Sequence, residues 1–329
     1  MAIKIPSGIF GLDRYLGGGF NENSSTVVIG SSGAGKTILA TQYLKKGLED
    51  GQEGIYITLD EPPEQIIHEA EEMGWEDIQG YIDKEQFVFV DASGKMFSQF
   101  VEKELDEFVN DWKGSGARIV VDPLTPVLWS TETRYMQRDL ISFLFRQMKR
   151  IGTVLCTLEE HGPIGDLSHP DTVIPMYLSD TVIHLRYVHT GDPYREASRN
   201  LKVVKFRRSK HSTKYHPYVI LKGPGMLVLP EDPDDMDKKT VTRRLNGLDA
   251  VKRDRIKAMM KHVSQEDDLG LDLSLVLSLI VDEYERTGEG IAAGPSLKTS
   301  ERDHGGKDAD GEDGGRGKAR SSFSRNKEE

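Results

Sequence analysis

The sequence predicts an α/β fold: a mostly parallel central sheet flanked by helices, with antiparallel strands at one edge and a small C-terminal helical extension. Up to about Glu160, short β-branched runs alternate with longer amphipathic runs, which is typical of a parallel sheet covered on both faces. After Glu160, strand-like runs are joined by turns, as in antiparallel hairpins added to a sheet edge.

The elements follow one another in a regular order. The earlier strand-like runs are STVVIG, GIYITL, FVFVD, ARIVVD and GTVLCTL. The helical runs between them begin after Lys36, near Pro63, at SQFVEKELDEFVNDW and at RDLISFLFRQMKRI. The later strand-like runs are DTVIHLRYV, LKVVKF, HPYVIL and MLVLP. Together they predict one domain over residues 1–230.

Beyond this domain the composition changes. Residues 231–237, EDPDDMD, form an acidic linker with a proline that cannot bury much surface. Residues 238–288 predict a helical extension. Residues 289–329 consist mainly of glycine, charged residues and serine, with almost no large apolar side chains, which predicts a disordered tail.

Two helices are expected in the extension. A basic helical run extends from about Thr240 to His262. A second helix is expected from Asp272 or Ser274, either of which can cap it, to Gly288. Because the second helix is apolar nearly all round, it needs a partner surface, either on the core of the same chain or on another subunit.

Composition limits the classes of function. The chain has 329 residues and a net charge of −11, which argues against a protein coated with nucleic acid but leaves room for a local basic patch. It contains no run of 18 apolar residues, and its start lacks the features of a signal peptide, so we expect a cytoplasmic protein without membrane contact. The single cysteine, Cys156, cannot form an internal disulfide, and a buried structural thiol is favoured over a nucleophile.

The strongest motif is GSSGAGKT, directly after the run STVVI and at the start of a helix. Its glycines let backbone N–H groups wrap the phosphates of a nucleotide, Lys36 adds positive charge there, and the Thr37 hydroxyl completes a Mg²⁺ shell. A glycine-rich turn is the alternative, which the context of strand, loop and helix disfavours. The sequence therefore predicts a nucleotide site at Gly30, Ser31, Ser32, Gly33, Ala34, Gly35, Lys36 and Thr37.

Carboxylates follow two of the predicted strands. Asp122 closes the run RIVVD and fits a second position in the metal's shell, although a turn or helix cap is the alternative. Asp60 and Glu61 follow GIYITL, where side chains at the carboxyl edge of a parallel sheet face the ligand crevice. They are candidates to orient or deprotonate an attacking water. A helix-capping pair is the other interpretation, and the two can coexist.

These motifs, in this order, resemble one domain of the KaiC-like group of RecA-superfamily ATPases over about residues 5–230. The segments that carry the resemblance are PSGIFGLDRYLGGGF, GSSGAGKT, ITLDEPPEQI, IVVDPLTPVL, SDTVIHL and LKVVKFRRSKHSTKYHPYVI. The resemblance implies a RecA-like P-loop fold, ATP and Mg²⁺ as ligands, and slow ATP hydrolysis. It also implies self-assembly into a ring or filament, with a hexamer favoured, in which ATP lies between subunits.

The resemblance also implies roles for single residues. Asp60 takes the leading position of the water-activating pair, which is usually glutamate in the family. Its shorter side chain would hold the carboxylate about 1 Å farther back, so hydrolysis is expected to be very slow or to depend on Glu61. Lys205 and Arg207 become cations that act on the neighbouring subunit's γ-phosphate. Three further residues become contacts to that nucleotide: Phe206, Ser209 and His211.

The cations on either side of Phe206 have a second interpretation. Alternation on a strand points Lys205 and Arg207 to the same side, which suits two donors aimed at one phosphate. The alternative is a solvated basic edge strand that discourages sheet aggregation.

The chain departs from the family pattern in three places. It contains one phosphate loop, where the clock protein of this group has two. Met176 and Tyr177 occupy the positions of a Ser-Thr phosphoacceptor pair, so autophosphorylation of that kind is not predicted. Pro123 replaces a small hydroxyl residue, which leaves any sensing role there to Thr125 or to no residue.

Three functions stay open. The first is an ATP-dependent oligomeric regulator whose C-terminal helices and tail carry a signal to an unidentified protein partner. The second is a recombinase-like DNA-binding protein, which interleaved acidic residues disfavour without closing the question. The third is an ATP-binding switch without useful turnover, which Asp60 keeps open. The basic run that supports the second function is Arg243, Arg244, Lys252, Arg253, Arg255 and Lys257.

Overall fold

The computed structural model of the chain describes residues 3–94, 96–162, 165–188, 198–230, 238–263 and 272–286. The predicted acidic linker and the predicted disordered tail lie outside the described residues. Within the described ranges, no helix has the length and the apolar character that crossing a membrane requires.

The strands of the described chain fall into two sheets. Their bounds are β1 (Lys4–Ile5), β2 (Phe20–Asn21), β3 (Ser25–Gly30), β4 (Gly54–Thr58), β5 (Phe87–Asp91), β6 (Arg118–Asp122), β7 (Thr153–Glu159), β8 (Thr181–Val188), β9 (Ser198–Phe206), β10 (Tyr215–Leu221) and β11 (Gly225–Val228). β1 and β2 form a small antiparallel pair. The others form one sheet in the order β11-β10-β9-β8-β3-β7-β6-β4-β5.

Helices connect these strands and extend beyond them. Their bounds are α1 (Lys36–Glu49), α2 (Pro63–Glu72), α3 (Asp77–Asp83), α4 (Met96–Gln99), α5 (Leu105–Trp112), α6 (Thr125–Trp129), α7 (Arg134–Ile151), α8 (Pro170–Leu178), α9 (Lys238–Gly247), α10 (Ala250–Val263) and α11 (Leu273–Arg286). A π-helical turn, Phe100–Glu104, joins α4 to α5, and a short 3₁₀ helix covers Asp13–Tyr15.

The predicted α/β class with a mostly parallel sheet is confirmed. The strands from β8 to β5 in the sheet order pair in parallel, whereas β9, β10 and β11 pair antiparallel. One assignment was wrong, because β8, which the sequence grouped with the hairpins, runs parallel to β3. Parallel pairing needs a crossover connection, and α8 provides it. Pro175 inside α8 concealed this helix in the sequence.

Helices cover the sheet on both faces, as its alternating side chains require. Val28 of β3 packs in a core with Leu39 of α1, whereas Val27 and Ile29 pack on the opposite face with Phe145 of α7. Cys156 in β7 is fully buried on that second face, and burial raises the pKa of its thiol, which agrees with a structural role.

The C-terminal helices pack on the antiparallel end of the sheet. Val276 and Ile280 of α11 share a core with Phe10 and Leu227, so the chain's own core provides the surface that this apolar helix needs. The single basic helix expected from Thr240 to His262 is wrong, since α9 and α10 are separate helices. A backbone N–H donates to the Asp249 carboxylate at 2.9 Å and caps the start of α10.

Candidate nucleotide site

The phosphate loop, residues 30–37, lies between the carboxyl end of β3 and the start of α1. A cavity of about 460 Å³ opens beside it. Lys36 and Thr37 line this cavity together with three predicted carboxylates: Asp60, Glu61 and Asp122. The fold therefore brings the motif and the carboxylates of β4 and β6 to one sheet edge, as expected for parallel strands that end side by side.

The conformation of the loop explains its glycines. Gly33 and Gly35 have φ angles of 75° and 88°, which favour glycine. A Cβ on Gly35 would also lie 2.5 Å from Cδ1 of Ile220. Tyrosine hydroxyls from β8 and β10 brace the loop, since Tyr187 donates to the carbonyl of Gly33 and Tyr218 donates to the carbonyl of Ala34 at 2.7 Å. The loop backbone is therefore held open next to the N-terminus of α1, where anions bind favourably.

Lys36 is positioned for a phosphate. Its Nζ donates to the carbonyl oxygen of Ser31 at 3.1 Å, which folds the side chain back over the loop. Burial lowers the pKa of Lys36, and the carboxylates of Glu159, Asp122 and Glu160 oppose that effect. A partly desolvated ammonium near the loop offers a strong point charge to a phosphate oxygen.

Asp122 is held as a buried anion at the end of β6. Its two carboxylate oxygens accept hydrogen bonds from the hydroxyls of Tyr56 and Thr157, which fix the carboxyl plane. The helix-cap alternative is wrong, because the N-cap residue of α6 is Leu124 and α6 has no side-chain cap. The Thr37 hydroxyl and the Asp122 carboxylate are hard oxygen donors on one cavity, so these residues fit Mg²⁺.

Thr125 does not line the cavity in the described part of the chain. It is fully buried, and its hydroxyl accepts a hydrogen bond from the backbone N–H of Glu159 at 3.2 Å. Thr125 therefore positions the end of β7. A direct sensing contact from its side chain finds no support in this geometry.

Asp60 and Glu61 are exposed side chains on the wall of the cavity. The helix-capping interpretation is wrong for the described residues, because the N-cap residue of α2 is Pro62 and no side chain caps this helix. Partial burial raises the pKa of Glu61, and the nearby carboxylates of Glu69, Asp122 and Asp60 raise it further. The Thr58 hydroxyl also donates to the carbonyl of Glu61 and fixes its backbone. Glu61 is therefore held in place as a carboxylate with increased basicity.

Lys205 and Arg207 lie away from the cavity that contains the phosphate loop. The Nζ of Lys205 donates to the carbonyls of Met176, Tyr177 and Ser179 at 2.7, 3.1 and 2.6 Å. Arg207 donates to the same Tyr177 carbonyl at 2.8 Å. The two cations thus converge on the C-terminal end of α8, where a helix attracts positive charge.

The basic-edge alternative for these cations stays open. β9 pairs with β8 up to Phe206, but β10 pairs with β9 only at residues 200–202, so among the described strands Lys205 has a paired neighbour on the β8 side alone. Burial, and after it the positive charge of Arg207, lower the pKa of Lys205 to about 8.

The other predicted contacts of this segment have mixed environments. The Phe206 ring is buried in the core beneath the Lys4 ammonium, which lies 4.0 Å from the ring centroid. Because the ring is buried, only the backbone of Phe206 could contact a neighbouring nucleotide. Ser209 accepts from Lys4 at 3.0 Å, and the His211 ring lies edge-on to Phe206 at 6.5 Å.

Three charged residues of the cavity wall were missed in the sequence: Glu69 of α2, Glu159 and Arg199. Glu159 ends β7, next to β3 in the sheet, and the rule that selected Asp60 and Asp122 could have found it. Arg199 begins β9, and an antiparallel strand starts at the edge where the parallel strands end. Because the local pattern assigns β8 to the hairpins, it does not place Arg199 at this edge.

Comparison with known proteins agrees with this geometry. The family model described as "ATPase: KaiC" matches residues 5–233. The circadian clock oscillator protein KaiC of Prochlorococcus marinus subsp. pastoris is 33% identical over 231 residues, which cover 66% of this chain and 43% of the relative. The KaiC protein of Synechococcus elongatus is 31% identical over 229 residues, with 66% and 42% covered.

A third relative matches a longer stretch at lower identity. The circadian clock protein KaiC3 of Synechocystis sp. is 26% identical over 255 residues, which cover 74% of this chain and 49% of the relative. The chain therefore spans less than half the length of the curated relatives it matches. The matched region in all three comparisons accounts for about two thirds or more of the present chain.

Proposed function

The chain belongs to the KaiC family of ATPases, and on that premise we propose that it is an oligomeric regulator that binds ATP and Mg²⁺ between neighbouring subunits. Assembly depends on ATP, and slow hydrolysis resets it. The C-terminal helices and tail carry the signal to a protein partner, and the protein works in the cytoplasm. The charges of the described residues support the nucleotide site and the assembly, while the signalling role and the cytoplasmic location are proposed from the sequence.

The charge of the cavity is the observation that carries the proposal. Its described lining contains five carboxylates, Asp60, Glu61, Glu69, Asp122 and Glu159, and two cationic side chains, Lys36 and Arg199. A triphosphate is itself strongly anionic, so its binding needs further positive charge. Lys205 and Arg207 do not line this cavity, and we propose that they supply that charge to the phosphates of a neighbouring subunit.

A magnesium ion would supply part of the missing charge. The Thr37 hydroxyl and the Asp122 carboxylate would hold it, and when bound it would neutralise phosphate oxygens. Tyr56 and Thr157 would keep the Asp122 carboxylate oriented, as the partners of a metal ligand commonly do.

Glu61 is the residue we propose to orient and deprotonate the attacking water. It is one methylene longer than Asp60, its backbone is fixed by Thr58, and its raised pKa makes it the stronger base. Asp60, which leads the pair, would then act mainly through its charge. This assignment favours slow turnover over a switch without hydrolysis.

The structure weakens the case for a DNA-binding filament. Arg244 forms ion pairs with Asp282 and Glu285 at 2.5 Å, and Arg255 lies 3.6 Å from Glu49. Lys252 and Lys257 pair with carboxylates one helical turn away, and Arg253 donates to a backbone carbonyl. Five of the six basic residues that supported DNA binding thus have partners within the chain, which leaves few of them for phosphate contacts.

Light scattering coupled to size exclusion tests the proposal. The full chain should form a larger assembly with a non-hydrolysable ATP analogue and Mg²⁺ than with ADP or without nucleotide. Lys36→Ala should lose both nucleotide binding and the nucleotide-dependent assembly. If Lys36→Ala bound ATP and assembled like the parent chain, the proposed function would be wrong.

A further inference from the structure

Lys4 lies next to the turn that carries Arg207, and it contacts that turn at two points. Its Nζ donates to the hydroxyl oxygen of Ser209 at 3.0 Å and lies 4.0 Å from the centroid of the Phe206 ring. Arg207 and Arg208 are the two exposed residues of the turn. Phe206 and Ser209 flank them, so Lys4 bridges both ends of the turn.

The position of Lys4 is itself fixed by the N-terminal part of the chain. Besides Ser209, its ammonium donates to the carbonyls of Leu16 and Gly19, at 3.2 Å each. An ammonium has three N–H groups, so these three contacts use all of them. Two backbone carbonyls thus anchor the side chain, and its third N–H group holds the turn.

A second side chain, from β2, holds the same turn. Asn21 is buried, and its Nδ2 donates to the carbonyl of Arg207 at 3.3 Å. The backbone N–H of Arg207 donates to the carbonyl of Asp180 at 2.9 Å. Both backbone groups of Arg207 are therefore bonded to other segments, which fixes the point from which its side chain extends.

The backbone of the turn needs this support. Arg208 has a φ angle of 62°, in the left-handed region that residues with a Cβ seldom adopt. A residue other than glycine keeps such a conformation only where its surroundings hold it. Lys4 is placed to do so, because it bridges Phe206 and Ser209 on the two sides of Arg208.

We propose that Lys4 is a positioning residue for ATP hydrolysis, which holds the turn so that the Arg207 guanidinium meets the γ-phosphate in the neighbouring subunit. This inference rests on the proposed function, in which Arg207 acts on that phosphate. Lys4 does not line the cavity beside the phosphate loop, so it acts through the turn. Its loss lets the turn relax, and a displacement of about 1 Å at a reacting group can cost about 10²-fold in rate.

Lys4→Met tests this role, because it keeps an unbranched apolar side chain and removes the ammonium. At saturating ATP and Mg²⁺, phosphate release by the full chain should fall by at least about tenfold. The nucleotide affinity of the isolated subunit, measured by fluorescent-nucleotide titration at dilutions where the chain is monomeric, should change by less than about twofold. Lys45→Met is the matched control, since Lys45 pairs with Glu49 and Asp77, and it should release phosphate like the parent.

Arg208→Gly separates positioning of the turn from a general loss of stability. Glycine adopts a left-handed φ without steric cost, so Arg208→Gly alone should change phosphate release by less than about twofold. Added to Lys4→Met, it should recover most of the lost rate, because the turn then needs less support. If the double variant stayed as slow as Lys4→Met, Lys4 would have a merely structural role and the proposal would be overturned.

Arg207→Ala, measured beside these variants, distinguishes a failure of this inference from a failure of the proposed function. If Arg207→Ala slows phosphate release and Lys4→Met does not, only the role of Lys4 is wrong. If Arg207→Ala releases phosphate like the parent, the role of Arg207 is wrong and this inference falls with it.

Lys4→Gln keeps the proposal testable if Lys4→Met does not fold. The two amide N–H groups of glutamine match the two backbone carbonyls that anchor Lys4 and leave none for Ser209. Phosphate release should therefore fall in this variant as well. Release at the rate of the parent would overturn the proposal.

Discussion

The two groups of predicted ATP-binding residues are held in opposite ways. At the phosphate loop, tyrosine hydroxyls fix the carbonyls of Gly33 and Ala34, and two further hydroxyls fix the Asp122 carboxylate. Lys205 and Arg207 are instead held at the C-terminal end of α8 by backbone carbonyls, and the Arg207 side chain is 49% exposed. The first group is completed by folding, whereas in the second the exposed Arg207 guanidinium still has room for an anion from outside, and the three N–H groups of Lys205 already donate to backbone carbonyls.

The charges of the two groups differ as well. Carboxylates outnumber cations around the phosphate loop, while Lys205 and Arg207 form a positive pair near the carboxylate of Asp180. Opposite charges on two surfaces of one molecule favour head-to-tail association of identical subunits. Under the proposed function, the phosphate-loop group binds the nucleotide within a subunit and the Lys205 group acts on a neighbour's nucleotide, so variants of one group should separate binding from assembly.

Arg207→Ala should give the largest effect. Loss of a cation that acts on the neighbour's phosphate is expected to reduce turnover by about 10³-fold, as for other arginines supplied across an interface. The ATP affinity of the isolated subunit, measured at dilutions where the chain is monomeric, should change by less than about twofold. Phosphate release and fluorescent-nucleotide titration measure the two quantities.

Lys210→Ala is the control for this variant, because Lys210 is an exposed cation in the same segment. It should leave turnover close to that of the parent. If Arg207→Ala weakened nucleotide binding by the isolated subunit as much as it slowed turnover, the two groups would belong to one site and the comparison would be wrong.

Glu61→Gln should give the next largest effect and refines the role of the phosphate-loop group. Removal of the base is expected to reduce phosphate release by about 10²-fold while ATP stays bound. Asp60→Asn, the matched variant, should cost less than about tenfold, because its shorter carboxylate lies farther from the water. If Asp60→Asn reduced phosphate release more than Glu61→Gln, Asp60 and not Glu61 would be the base. If the parent chain released no phosphate, the protein would be an ATP-binding switch without turnover.

The sequence predicted the residues that local patterns specify. The phosphate loop follows a β-branched run and opens a helix, and Asp122 and Asp60 end runs of the same kind, so alternation alone brought them to one sheet edge. The same rule applied to Glu159 would have added the third strand-end carboxylate of the cavity wall, but it would not have found Glu69, which lies on α2. This part of the site needed no knowledge of which strands are neighbours.

Contacts between distant segments could not be predicted in this way. Pro175 made α8 look like a loop, so β8 was grouped with the hairpins and Arg199 was not considered. The packing of Val276 and Ile280 of α11 against Phe10 and Leu227 joins distant segments, and nothing in either local sequence indicates it. The sequence left open whether the apolar helix α11 covers the core of its own chain or another subunit, and the tertiary packing shows that it covers its own core.

The pH dependence of assembly should give a smaller effect and tests the Lys205 group directly. Burial lowers the pKa of Lys205 to about 8 in the single chain, and a neighbour's phosphate would raise it again, because opposite charge favours the ammonium form. Above about pH 8, assembly therefore requires Lys205 to take up a proton, and assembly should weaken by up to about tenfold for each pH unit. Below pH 8, Lys205 is already protonated in the single chain, so its titration should not change assembly.

Lys205→Arg is the variant that isolates this titration, since a guanidinium stays charged over the whole range. Light scattering with the ATP analogue, at several pH values on both sides of 8, would give the assembly midpoint of the parent and of the variant. The parent should weaken above pH 8 while Lys205→Arg stays level. Equal slopes would mean that Lys205 does not meet the neighbour's phosphate, and the positive charge for that phosphate would then have to come from Arg207 alone.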